Sequence, residues 1–188
     1  MNGGGNFLYT PILIVIGVLA FLLIGMYNSF ASLRVKMKEA WSQIDVQLKR
    51  RADLIPNIVE TVKGYASHEK EVFENVTKAR SALLSAKTPK EAGEANVELT
   101  GALGRLLAIA EAYPELRAQE GFVNLQKELS DTEDKVAYSR QFYNSVVRQF
   151  NEKLAVFPSN IVGMVFGFKV EEFFEAEEAE RENVKVKF

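Results

Sequence analysis

A run of twenty-one residues without a charge, Phe7 to Tyr27 (FLYTPILIVIGVLAFLLIGMY), constrains this chain more than any other feature. As a helix rising ~1.5 Å per residue it is about 31 Å long, the thickness of a bilayer's hydrocarbon core. A helix can cross lipid alone because its backbone N–H and C=O groups pair within the segment. The first charged side chain is Arg34. A cleaved signal peptide would need a basic leader and a shorter apolar stretch. Residues 1–6 (MNGGGN) carry no Lys or Arg, although Ser29-Phe30-Ala31 has the small-x-small form of a cleavage site. The run therefore reads as a single membrane span with the lipid bilayer as its first partner.

Charge sets an orientation. Arg34, Lys36, Lys38, Lys49, Arg50 and Arg51 follow the span and no basic side chain precedes it. By the positive-inside bias the N-terminus is external and the rest cytoplasmic. The expected organisation is a short external segment (1–6), a transmembrane helix (7–27), a cytoplasmic helical bundle (28–168) and an acidic tail (169–188). In that tail, residues 171–182 hold seven glutamates against one arginine. This is either a solvated end or a docking tail for a basic partner. The ending Val184-Lys185-Val186-Lys187-Phe188 alternates like a short strand. A net charge of −2, with no basic stripe, argues against nucleic acid. With no cysteine, disulfides and thiolate metal sites are excluded.

Beyond the span, apolar residues recur at steps of three, four and seven: Phe30, Leu33, Met37, Trp41, Ile44, Leu48, Ile55, Val59, Val62, Ala66, Phe73, Val76 and Leu83. This helical period predicts one helix from 30 to about 84, kinked at Pro56. Thr88-Pro89-Lys90-Glu91 is a capping box that opens a second helix, which Pro114 closes. A connection to Gly121 precedes a third helix with Phe122, Leu125, Leu129, Val136, Tyr143, Val146 and Phe150 in heptad-like spacing, ended by Pro158. Ser159 can cap a short final helix. The fold class is all-α: a transmembrane helix continuing into an elongated antiparallel bundle of three long helices and one short one, like a four-helix bundle. The aromatic segment from Phe157 to Phe174 reads either as a cap over the bundle's open end or as a contact with the bilayer interface.

On that reading the first helix is roughly 80 Å long beyond the span, the second about 36 Å and the third near 58 Å. Part of the apolar stripe then lacks cover. The expected seam is Leu33, Met37, Trp41, Ile44 and Leu48, and it predicts self-association into a homo-oligomer.

Residues 49–69 (KRRADLIPNIVETVKGYASHE), with Glu128-Leu129-Ser130-Asp131-Thr132-Glu133, Arg140-Gln141-Phe142-Tyr143-Asn144 and Phe157-Pro158-Ser159-Asn160, resemble the LemA family of bacterial membrane proteins. The resemblance covers nearly the whole chain and relates it to the LemA-like proteins of magnetosome membranes. It implies one span of the bacterial inner membrane and a cytoplasmic all-α domain, and it brings no enzymatic activity. The motif positions are Arg51, Pro56, Asn57, Gly64, His68, Glu69, Glu133, Tyr143, Asn144 and Pro158.

Within the motif, Pro56 is expected to set a bend and Asn57 to pair with the carbonyl that Pro56 frees. Gly64 is expected to allow close helix approach. His68-Glu69 is the most tempting chemical pair. A metalloprotease helix needs a second histidine four residues on, and position 72 is Val72. A di-iron bundle needs two Glu-x-x-His motifs, and the chain has one histidine. His68 reads as bundle or interface hydrogen bonding, with no catalytic residue, metal or cofactor expected. Three function classes follow: a self-associating membrane scaffold, a regulatory subunit of a membrane protease, transporter or sensor, and an enzyme with an unrecognised site. The absence of any assembled polar constellation ranks the enzyme last.

Overall fold

A computed structural model of the chain describes residues 6–174, which are all-α. They form α1 (Asn6–Lys63), α2 (Lys70–Ser85), α3 (Pro89–Glu111), α4 (Pro114–Arg117), α5 (Glu120–Ala155) and α6 (Ser159–Val165). Most of the glutamate run and the alternating ending at 184–188 lie outside the described residues, as do residues 1–5. The chain divides into two compact units. One comprises residues 1–38 with 145–171, the other residues 39–144 with 172–188.

Helix α1 is the one described helix long and apolar enough to cross a membrane. Its side chains from Tyr9 through Ile24 are exposed on every face. From Phe30 onward only one stripe is buried, including Ile44, Leu48, Ala52, Ile55, Ile58 and Val62, as amphipathic spacing requires.

The second unit is an up-and-down four-helix bundle. Helix α1 ends at Lys63, and the N–H groups of Tyr65 and Ala66 both bond to the carbonyl of Val62. The chain then turns through residues 64–69, with Ala66 buried against the end of the bundle, and α2 returns antiparallel to α1. Thus Phe73 lies near Val59 and Lys63, while Leu83 lies near Trp41 and Leu48. The Thr88 hydroxyl accepts from the Glu91 amide and the Glu91 carboxylate accepts from the Thr88 amide, so α3 starts at the capping box read from sequence. Pro114 opens the one-turn helix α4 inside the expected connection, and its Leu116 is fully buried. Helix α5 runs antiparallel to α1, pairing Glu133 with Arg51 and Tyr143 with Trp41.

Two expectations are corrected here. The single helix from 30 to about 84 is two helices, because the chain reverses at Gly64–Glu69 and not through a kinked continuation. The apolar period survives the reversal because both helices face the same core, so Val62, Ala66 and Phe73 keep helical spacing across a turn. The length mismatch disappears with it. The proposed seam is likewise not exposed: Leu33, Met37, Ile44 and Leu48 are at most 6% exposed, and Trp41 is half-buried between the rings of Tyr143 and Phe174.

The chain stays helical through Pro56, which is exposed. Proline has no N–H to give the carbonyl of Ala52 four residues earlier. The donor is Arg80 of α2, whose Nε lies 2.7 Å from the Ala52 oxygen. Asn57, expected in that role, is exposed, and its own backbone carbonyl accepts from the Thr61 hydroxyl. Gly64 makes no close approach to another helix: a Cβ there would meet only the Thr61 and Glu60 carbonyls of its own helix.

In the other unit, Phe30 of α1 stacks on Phe168 at 4.8 Å and meets Phe150 of α5 edge-on at 5.4 Å. Helix α6 packs close to α5 at Gly163, where a Cβ would fall 2.5 Å from Leu154 Cδ2. Ser159 does not cap α6. Its hydroxyl donates to the Lys153 and Val156 carbonyls at the end of α5, and Pro158 takes the cap position after a cis Phe157–Pro158 bond.

Arg80→Ala is expected to cost about 1–3 kcal/mol, because it strips the donor from a part-buried carbonyl. In the Pro56→Ala background the new amide can serve Ala52, so the same substitution should cost less. A double-mutant cycle by urea unfolding checks this, and independent effects would refute the pairing.

Candidate functional site

Charge enters the bundle at Arg51, which is 1% exposed on the inward stripe of α1. A buried guanidinium is costly unless its donors are met. Nη1 donates to Asn96 Oδ1 at 2.6 Å and Nη2 to Thr100 Oγ1 at 3.0 Å, both on α3. Glu133 of α5 approaches Nη2 at 3.7 Å, with its side chain half exposed. Thr100 passes its own hydroxyl proton to the Asn96 carbonyl. One arginine therefore ties α1 to α3 and α5. Of the motif residues, Arg51 and Glu133 meet here.

The remaining motif residues sit elsewhere. Tyr143 and Asn144 hold the segment after residue 171. The Tyr143 hydroxyl donates to the Glu172 carbonyl at 3.1 Å. The Asn144 amide both donates to the Phe174 carbonyl and accepts its N–H, each at 2.9 Å. Within the first unit, Asn151 makes the same two-bond pairing with the backbone of Glu171. His68 and Glu69 are exposed in the turn before α2, where the Glu69 carbonyl accepts from the amides of Val72 and Phe73. Of the two settings expected for His68, bundle or interface, its exposed turn position excludes the bundle interior.

An open groove of about 860 Å³ lies between α1 and α5. Helix α1 supplies Glu39, Ser42, Gln43, Val46 and Gln47, and α5 supplies Asp131, Asp134, Lys135, Tyr138 and Ser139. Both sets follow steps of three and four, so each is one face of its helix. Three carboxylates against one lysine make the groove acidic. Val46 and Tyr138 are strongly exposed there, 56% and 74%. The Gln47 Oε1 atom is buried with no hydrogen-bond partner. No nucleophile and base meet in the groove, and among the described residues no three His, Cys, Asp or Glu side chains gather in a metal-holding group. Exposed apolar side chains beside carboxylates on two neighbouring helix faces suit recognition of an amphipathic helix.

Sequence reasoning missed Asn96, Thr100, Arg80, Asn151 and Gly163. Asn96 carried a legible signal, since it lies one position from Ala95 and three from Leu99 on the apolar face of α3. The groove was legible only as the polar flank of two helices.

The protein belongs to the LemA family, whose family model matches residues 40–188. Among its relatives, magnetosome protein MamQ 2 of Paramagnetospirillum magneticum is 25% identical over 193 residues, covering 88% of this chain and 71% of the relative. Magnetosome protein MamQ of Magnetospirillum gryphiswaldense is 25% identical over 188 residues, covering 85% and 69%. Protein LemA of Metamycoplasma hominis is 27% identical over 173 residues, covering 92% and 79%.

Asn96→Leu is expected to destabilise the bundle by about 3 kcal/mol, because it leaves a buried cation short of a partner. Adding Arg51→Met should recover most of that loss, since an apolar replacement of the whole cluster leaves no charge to satisfy. Denaturant unfolding followed by circular dichroism checks the order. A double variant weaker than the single one would refute it.

Proposed function

We propose that this LemA family member is a non-enzymatic, membrane-anchored helical scaffold that self-associates and organises membrane or partner proteins. The apolar part of α1 anchors it. The groove between α1 and α5 receives an amphipathic helix carrying basic residues, first of all from another copy of the chain. The observation that carries this reading is the groove itself. Val46 and Tyr138 offer apolar contact, while Glu39, Asp131 and Asp134 favour cationic side chains at the rim. With Leu33, Met37, Ile44 and Leu48 used in the chain's own core, assembly passes to this face. The acidic rim also supports a second reading, a regulatory subunit that docks a basic helix of a membrane protease, transporter or sensor.

The charge asymmetry around the span supports an external N-terminus and a bundle in the cytoplasm at the bacterial inner membrane. A reporter fused after Phe188 should then be active only in the cytoplasm. External labelling of that end in intact cells would reverse the topology.

Self-association is tested by native mass of the full chain in mild detergent. The parent is expected to be oligomeric. Val46→Asp with Tyr138→Asp removes apolar contact worth roughly 1.5 kcal/mol per side chain once buried, so the dissociation constant should rise about a hundredfold. Both residues are exposed, so the helical signal should persist. A monomeric parent defeats self-association, and co-purification of one basic partner with that monomer would favour the regulatory reading.

A further inference from the structure

We propose that α6 and its flanking aromatics form a second membrane contact, an interfacial patch that lies in the headgroup region of an anionic bilayer beside the span. The proposal rests on the reading of residues 7–27 as that span.

The patch is apolar and open. Phe157, Met164 and Val165 are 74%, 82% and 72% exposed, and Ile161 and Phe166 are about half exposed. Ile161, Met164 and Val165 are spaced three and four apart, so they share the outer face of α6. Val162 and Gly163 face inward and are buried. An exposed patch of this kind marks an interaction site, and soluble surfaces rarely tolerate it.

Its place in the fold says what covers it. The uncharged run ends at Tyr27, and the Tyr27 ring lies 4.8 Å from Phe166 and 5.9 Å from Phe168. The C-terminal end of α6 is therefore at the level where α1 leaves the hydrocarbon. Tyrosine and other amphipathic rings concentrate at that depth. The Arg34 guanidinium lies over the Phe168 ring at 4.9 Å, which puts a cation beside these aromatics. The compact unit that carries the patch contains, over residues 28–38 and 145–171, Arg34, Lys36, Lys38, Arg148, Lys153 and Lys169 against only Glu152 and Glu171. A short apolar face on a unit with this basic excess matches anionic lipid. A protein partner would need no such agreement with the depth of Tyr27.

Single-tryptophan variants of the full chain, in the Trp41→Phe background, test this in nanodiscs of phosphatidylcholine and phosphatidylglycerol with or without dibrominated acyl chains. Met164→Trp should emit at shorter wavelength than the exposed control Val123→Trp and lose most of its intensity with brominated lipid. Leu19→Trp should be quenched as the marker of the span. If Leu19→Trp is quenched and Met164→Trp is not, the patch inference fails while the span stands. If neither is quenched, the span reading itself fails. Blue-shifted but unquenched Met164→Trp emission would mean cover by protein and would also overturn the proposal. Should the Trp41→Phe background not fold, the unaltered chain can be crosslinked to a photoactivatable phosphatidylcholine. Adducts should then map to residues 157–166 as well as 7–27, and adducts confined to 7–27 would overturn the proposal.

Discussion

Helix α1 has to be apolar on every face over residues 7–27 and on only one face after Phe30, with the change completed within about a turn. The first condition is the one that a lipid-crossing helix must meet, because hydrocarbon offers no partner to any polar group. The second comes from water on the outer side of a helical bundle. The stripe that remains, through Ile44, Leu48, Ala52, Ile55, Ile58 and Val62, is the surface on which the bundle helices must close. The elements that follow in the bundle answer to that stripe. Helix α2 returns along it from the turn at 64–69, and α5 covers it again, likewise antiparallel to α1.

Apolar burial is non-directional and leaves the register of helices loosely set. Three directional devices supply the register here. Arg51 reaches Asn96 and Thr100 on α3 and faces Glu133 on α5, so sliding any of these helices would strand a buried charge. Arg80 meets the carbonyl that Pro56 leaves without an amide, which fixes α2 against α1 at one turn. Asn144 pairs twice with the backbone of Phe174, as a neighbouring strand would, and holds an extended segment that has no helix of its own. In each case a polar group that would be a liability in a core is matched by a partner from another element.

The chemistry at the surface is of one kind. The groove between α1 and α5 offers shape, apolar contact and negative charge, while the patch on α6 offers apolar contact on a unit with a basic excess. Both are suited to recognition of another surface.

The sequence by itself determined the all-α class, the apolar stretch of α1 that is long enough to cross a membrane, the capped start of α3, the bounds of α5 and the family. Each of these is written in local composition or in a 3.6-residue period, and neither depends on distant residues. Arg51 and Glu133 were legible as motif positions, although their joint role was not. Tertiary structure alone decided that the chain reverses after Lys63, because the apolar period of α1 and α2 runs on in phase through a turn that has only Gly64 to mark it. It alone decided that Leu33, Met37, Ile44 and Leu48 are core and not seam, and that Arg80, rather than Asn57, serves the carbonyl freed by Pro56. The physical reason is the same throughout: a helical period records which face is buried, whereas what covers that face is fixed only when elements remote in sequence come together.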